Sequence, residues 1–213
     1  MFSISLFTFG PIGENTYVLH NETGQCIIVD PGCYFGNERR ELADYISENG
    51  WQPKYLLNTH CHFDHVFGNQ FVYSTWGLEA HLHPAEQPVL ERSVQDGLAW
   101  GFPFDPYKGP LRFLRENDTI ELGADVLKVL FTPGHSPGHI VFYCAAQHFV
   151  IGGDVLFRES VGRTDLEGQN AATLEHSIRT RMYALPDETV VCPGHGEATS
   201  IGHEKQYNPF VRP

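Results

Sequence analysis

Nowhere in its 213 residues does the chain reach the roughly 18 consecutive apolar residues that would cross a bilayer. Its first residues, Met1-Phe2-Ser3-Ile4-Ser5, lack a basic stretch followed by a long apolar one, so no secretory signal is expected. Positive charge is scarce: 14 Lys and Arg stand against 26 Asp and Glu, a formal net charge of −12. That sign argues against nucleic acid or a membrane surface as a partner, since both attract basic patches. The five cysteines (Cys26, Cys33, Cys61, Cys144, Cys192) are odd in number and widely spaced, with no Cys-x-x-Cys pair. A reduced, cytoplasmic setting is therefore expected rather than a disulfide framework. No linker, low-complexity tract or charge block divides the chain, whose length suits one large domain over 1–213 with a sizeable core.

Short β-branched and aromatic runs at 4–9, 16–20 and 26–29, separated by Gly, Pro and Asn, predict an antiparallel meander. Glu14 and Asn15 read as turn residues before the second strand. Asp30 lies at a strand end, where it suits either a turn or a carboxylate behind a site. The pattern turns helical over 37–49, with Leu42, Tyr45 and Ile46 on one stripe. A strand at 54–58 follows, then a helix at 66–76, a short strand at 80–83, and a helix marked by Leu90, Val94 and Leu98. Residues 102–110 form a loop rich in aromatics and prolines, which either packs on itself or walls a cleft. Strands are expected at 119–122, 125–131, 139–144, 149–151 and 189–192. A last long helix is marked by Leu174, Ile178, Met182 and Leu185 and opened by Asn170.

The densest chemistry lies in Thr59-His60-Cys61-His62-Phe63-Asp64-His65, directly after an apolar strand. Alternation at a strand end turns His60 and His62 to one side, where they can share an ion, and aims Cys61 away. As the chain bends into a helix, Asp64 and His65 turn toward a second position. Imidazole and carboxylate suit zinc and iron, so this segment reads as half of a two-metal site. His81 and His83 also alternate, but Pro84 follows and no further ligand does, so they read as ordinary histidines. The missing donors lie downstream in three sharp turns: His135 in Pro133-Gly134-His135-Ser136-Pro137-Gly138-His139, Asp154 in Gly152-Gly153-Asp154, and His195 in Pro193-Gly194-His195-Gly196. Each follows an apolar strand, which sets all of them on one rim of a sandwich of sheets.

Taken together, in this order, the motifs resemble those of the metallo-β-lactamase-fold hydrolases, and among them the short glyoxalase II-like (hydroxyacylglutathione hydrolase-like) members. The resemblance runs from Glu14-Asn15-Thr16-Tyr17 to Asn208-Pro209. It implies a four-layer αββα sandwich with a dinuclear centre on one edge. Carried over position by position, it implies that His60, His62 and His135 bind one metal, that Asp64, His65 and His195 bind the other, and that Asp154 bridges them. Asp64 and Asp154 would be the catalytic carboxylates. The implied cofactors are two divalent ions, zinc first, with iron or manganese suiting the same ligands.

The resemblance further implies a small-molecule thioester as substrate, such as S-lactoylglutathione, cleaved by a water activated between the two metals. A thiolate, with a reference pKa of about 8.5, leaves without a dedicated acid. A persulfide dioxygenase-like iron enzyme shares Gly162-Arg163-Thr164-Asp165, but one iron needs no complete second ligand set. Lactone and β-lactam hydrolysis share the metals, although zinc β-lactamases often use a cysteine where this chain offers Asp154. Full-length glyoxalase II enzymes hold glutathione through an additional helical domain, whereas only residues 197–213 follow His195 here. Loose recognition of the thiol half is therefore expected, with Arg158, Arg163, Lys205 and Arg212 as candidates to meet a carboxylate. Arg163 also suits bracing the Asp154 loop through a neighbouring acid.

Overall fold

Strands such as Cys26-Ile27-Ile28-Val29 are apolar at every position, so neither face of the sheet they form tolerates water. The computed structural model, which describes residues 1–166 and 168–213, shows how both faces are covered. Strands β1 (Ser3–Phe9), β2 (Glu14–His20) and β3 (Gln25–Val29) form the expected meander. Helix α1 (Gly36–Glu48) then crosses to β4 (Gln52–Leu57), which pairs parallel to β3. Helices α2 (Phe63–Val66) and α3 (Asn69–Trp76), strand β5 (Ala80–Leu82), helix α4 (Gln87–Ala99) and strand β6 (Leu111–Phe113) complete a six-stranded sheet in the order β1-β2-β3-β4-β5-β6.

The second half repeats the plan. Strands β7 (Thr119–Leu122), β8 (Asp125–Phe131), β9 (Ile140–Cys144) and β10 (Phe149–Gly153) are antiparallel neighbours. After the small hairpin β11 (Leu156–Phe157) and β12 (Ser160–Val161), helix α5 (Ala171–Ser177) leads to β13 (Val190–Pro193), parallel to β10. Strand β14 (Thr199–Ser200) and helix α6 (Ile201–Tyr207) finish a second six-stranded sheet, β14-β13-β10-β9-β8-β7.

Strand alternation sorts the side chains into three cores. Leu19, Ile27, Val29 and Leu57 point inward against Leu127, Val129, Ile140, Phe142 and Ile151 of the other sheet. Their neighbours Val18, Cys26, Ile28 and Leu56 point outward beneath α1 to α4, meeting Leu42, Ile46, Val72 and Leu90. On the far side, Leu130, Val141, Val150 and Val191 lie under Leu174, Ile178, Met182 and Ile201. The architecture is the expected αββα sandwich. Among the described residues, no helix is long and apolar enough to cross a membrane.

Several local expectations need correction. Glu14 and Asn15 are not turn residues; they open β2 and are buried. The helix expected over 66–76 is two helices, because the Gly68 N–H donates to the Pro31 carbonyl at 2.7 Å instead of continuing the first. In α4 the buried row is Val89, Leu90, Ser93 and Gly97, and Leu98 is 63% exposed. The last helix changes from α to π geometry at Ile178–Met182, and β14 and α6 were not expected. Within loop 102–110, Phe104 and Tyr107 pack against the outer core.

Phe142 is fully buried between the sheets. Phe142→Ala should cost about 3–5 kcal/mol by the lost burial and the cavity left behind. Denaturant unfolding checks this, and a loss below about 1 kcal/mol would mean that the two sheets do not depend on one shared core.

Candidate metal centre

Four strand ends on one rim deliver the chemistry. β4 runs out into His60 and His62, and the single turn of α2 follows with Asp64 and His65. Alternation turns Cys61 the other way, into the outer core, as expected from sequence. The turn after β8 carries His135, the end of β10 carries Asp154, and the end of β13 carries His195. Because β10 and β13 are parallel neighbours, their last residues lie side by side, and Gly194 N donates to Gly153 O at 2.8 Å.

All seven sequence-selected residues converge. The ligand atoms of His60, His62 and His135 lie within 4.8 Å of one another, as do those of Asp64, His65 and His195. Asp154 joins the two groups: its Oδ1 is 3.4 Å from His65 Nε2, and its Oδ2 is 3.5 Å from His135 Nε2 and 3.8 Å from His195 Nε2. His195 Nε2 is 3.0 Å from Asp64 Oδ2. Gly194 is required here by space alone, since a methyl group there would overlap Asp154 Oδ1 and crowd His65 Cε1.

What lies behind the histidines fixes which nitrogen each presents. His135 Nδ1 donates to Arg163 O at 3.0 Å and His195 Nδ1 to Gly13 O at 3.1 Å, because a carbonyl can only accept. His65 Nδ1 donates to Asp30 Oδ2 at 3.2 Å. Thr59 Oγ1 donates to the same Asp30 oxygen at 2.6 Å and therefore accepts from His60 Nδ1 at 3.1 Å. When neutral, all four rings keep their proton outward on Nδ1 and direct the Nε2 lone pair at the centre, the arrangement that metal-ligating imidazoles use. Asp30, buried at a φ of 47°, thus acts behind the site. Its grouping with His60 and His65 is one of bracing, since both its oxygens are already bonded to Thr59 or His65.

Electrostatics point the same way. Burial pushes His60 and His135 below the ordinary imidazole range and His62 down to about 3, so these rings are neutral and available as ligands. Burial also opposes charge on His65 and His195, but Asp154 and Asp64 outweigh it and raise both. Burial disfavours the charged forms of Asp64 and Asp154, yet His65 foremost holds each below the usual carboxylate range. His65 Nε2 and Asp154 Oδ1 are buried without a hydrogen-bond partner. Two unpartnered polar atoms facing each other across carboxylates and neutral imidazoles suit a dinuclear metal site.

Sequence reasoning missed the residues that hold these loops. Buried Glu86 accepts from Cys61 N at 2.7 Å, Ser136 Oγ at 2.5 Å and Gly138 N at 2.7 Å, tying the His60 segment to the His135 turn. Asn15 Nδ2 donates to Pro193 O and Gly196 O on either side of His195. His139 Nε2 accepts from Asp154 N at 3.1 Å. For His139 the sequence signal is the repeated Pro-Gly-His of residues 133–139, although its position also suits the first residue of the strand expected at 139–144.

Over the centre opens a cleft of about 580 Å³, with Ile12, Phe63, Trp100, Phe157 and Leu166 as apolar walls. None of its described lining residues comes from loop 102–110, so the aromatic loop packs as structure and Trp100, just before it, supplies the wall. Arg163 lines the cleft and pairs with the exposed Asp165 at 2.8 Å. The other three cations lie outside it: Lys205 pairs with Asp187, Arg158 with Glu197, and Arg212 with the Gln206 carbonyl.

Residues 9–195 match the metallo-beta-lactamase superfamily. The chain is 38% identical to YqgX of Bacillus subtilis, described as a "probable metallo-hydrolase", over 95% of this chain and 94% of that protein. It is 32% identical to the hydroxyacylglutathione hydrolase GloC of Haemophilus influenzae, over 93% and 92% respectively. The solved structure of TTHA1623 in a di-iron-bound form is similar, with a TM-score of 0.87 and 38% identity over 97% of this chain and 100% of that one. The BLEG-1 B3 metallo-beta-lactamase structure reaches a TM-score of 0.90 at 33% identity, over 98% and 99%.

Two outcomes are expected from this geometry. Protons on His65 and His195 compete with bound cations, and both groups hold protons above the ordinary imidazole pKa. Metal retention should therefore rise with pH; dialysis followed by metal analysis between about pH 5 and pH 8 reads it, and equal retention throughout would contradict the arrangement. Glu86→Gln sets an amide donor against N–H donors, so metal affinity should fall roughly 10–100-fold while far-ultraviolet circular dichroism is unchanged. Unaltered affinity would show that Glu86 does not set the ligand loops.

Proposed function

The chain belongs to the metallo-β-lactamase superfamily, and from that premise we propose that it hydrolyses thioesters of small hydroxy acids at a dinuclear centre. The observation that carries the reading is the position of Asp154, with one oxygen toward His65 and the other toward His135 and His195. Similarity to the Haemophilus influenzae hydroxyacylglutathione hydrolase GloC over 93% of the chain supports the thioester class.

In this reading His60, His62 and His135 would hold one cation, Asp64, His65 and His195 would hold a second, and Asp154 would serve both. Two bound divalent cations would supply Lewis acidity for both the attacking water and the thioester carbonyl. The chain's own residues do the rest. Asp64 and Asp154 line the cleft and orient the water with their carboxylates. Thr59, Asp30 and Glu86 keep the ligand loops from shifting as charge develops. The apolar walls at Phe63 and Phe157 exclude bulk water from the reacting carbonyl. A thiolate of pKa about 8.5 leaves unaided, so the reaction requires no dedicated general acid.

A second reading, β-lactam hydrolysis, is favoured by the similarity to the BLEG-1 B3 metallo-beta-lactamase. A panel of thioesters, lactones and β-lactams, assayed alongside metal content, separates the two. Thioesters should be the fastest class, with about two metals per chain. One iron per chain with oxygen consumption on a persulfide would overturn the proposal, as would turnover confined to β-lactams. His60→Ala should lose metal and at least about a hundredfold in kcat/KM together. Asp154→Asn should cost far more in kcat than in stability, because an amide cannot neutralise charge between two cations; normal turnover with both metals kept would remove its bridging role.

A further inference from the structure

Helix α4 has two working faces. Val89, Leu90, Ser93 and Gly97 pack into the outer core, whereas Arg92, Asp96 and Trp100, spaced one turn apart, line the cleft. This second row is not needed to seat the helix: Trp100 is 53% exposed. From the opposite side comes Arg163, whose guanidinium lies 5.8 Å from the centre of the Trp100 ring. Phe63 continues the wall toward the ligand loops, its ring 6.0 Å from that of Trp100. Among the described residues lining the cleft, Arg92 and Arg163 are the side chains that carry permanent positive charge. In a chain of net charge −12, their placement around an exposed indole beside the metal centre asks for a ligand.

Resting on the thioester reading, we infer that Arg92 and Arg163, together with Trp100, form the subsite for a carboxylate on the thiol half of the substrate, so that the preferred substrates are thioesters of acidic thiols. The thioester carbonyl must reach the floor, where Asp64 and Asp154 lie. A small hydroxyacyl group is used up there, and the thiol half is what extends along Phe63 and Trp100 to the rim. Both arginines are already paired, Arg92 with Asp96 at 3.0 Å and Arg163 with Asp165 at 2.8 and 3.0 Å. Such exposed pairs are weak and exchange readily for another carboxylate. A guanidinium also has five donors in a planar fork that matches a carboxylate. The two aspartates thus hold the guanidiniums in place until the substrate arrives, and the indole offers a flat surface for the methylenes between sulfur and carboxylate.

The test pairs one acyl group with two thiols: lactoyl thioesters of 3-mercaptopropionate and of its neutral amide. Metal-loaded wild-type protein, Arg92→Gln, Arg163→Gln, the double variant and Lys205→Gln are compared. A contact made equally in ground and transition states appears in KM. The carboxylate thioester should be preferred about tenfold or more in kcat/KM, mostly through KM. That preference should shrink to within about twofold in the double variant and persist in Lys205→Gln. Equal use of both thioesters by the wild type would overturn the subsite. So would a preference surviving in the double variant, which would place the carboxylate on the metals. Calorimetry with the unreactive S-methyl thioethers of the same two thiols reads the subsite without turnover. If no thioester is hydrolysed but the carboxylate thioether binds more tightly and loses that advantage in the double variant, the thioester reading fails and the subsite stands. If neither thioether is favoured, the subsite fails whatever the turnover shows.

Discussion

A carboxylate taken out of water has to be met by positive charge or by hydrogen-bond donors, and at Asp154 that demand is answered from three other loops at once. His65 reaches it from the end of the first sheet, while His135 and His195 reach it from the second, at 3.4 to 3.8 Å. Its backbone N–H is fixed by His139. No single segment places all of these groups, so both sheets must end on the same rim and at the same depth. The αββα packing provides this, because alternation commits one row of every inner strand to a shared core and leaves the strand ends in register.

The same demand explains the layer behind the donors. Five histidines and two carboxylates crowded together would rearrange to pair with each other unless held. Asp30 and Thr59 hold His60 and His65. Glu86 clamps the His60 segment to the His135 turn, and Asn15 clamps the turn around His195. These bonds are buried and most involve backbone N–H or carbonyl groups, so they fix loop paths as well as side chains. The raised protonation of His65 and His195 is the signature of negative charge that seeks a cation.

Legibility in the sequence followed the range of the interactions. The seven ligand residues could be read from local pattern: His60, His62, Asp64 and His65 crowd into six positions after one apolar strand, and His135, Asp154 and His195 each sit next to a turn-forming glycine. Strand alternation likewise separated Cys61 from its histidine neighbours. The split between α2 and α3 could not be read, since it depends on the Gly68 N–H bonding to Pro31, far back in the chain. Glu86 looked like any acidic residue after a proline, and only tertiary folding brings Cys61, Ser136 and Gly138 to it. Helix α4 misled because Val94 and Leu98 follow the buried Leu90 at helical spacing but lie one residue, about a quarter-turn, past the buried Ser93 and Gly97.

One residue to the other side of Ser93 and Gly97 lie Arg92 and Asp96, and there helix α4 passes from what is fixed in this molecule to what can vary. The donors and their bracing residues are buried and joined to backbone, so a change at one is felt by the others. The cleft wall is built differently: Trp100, Ile12 and Leu166 keep much of their surface in water, and the Arg92–Asp96 and Arg163–Asp165 pairs are exposed. Removing such a side chain leaves no cavity and no unpaired buried group, so the wall can be rewritten at small cost to folding. A fold organised in this way keeps one reaction on its floor while its rim sets which molecules reach it. The chemistry of this chain is therefore to be sought in its buried loops, and its substrate in the exposed face of α4 and the loop that carries Arg163.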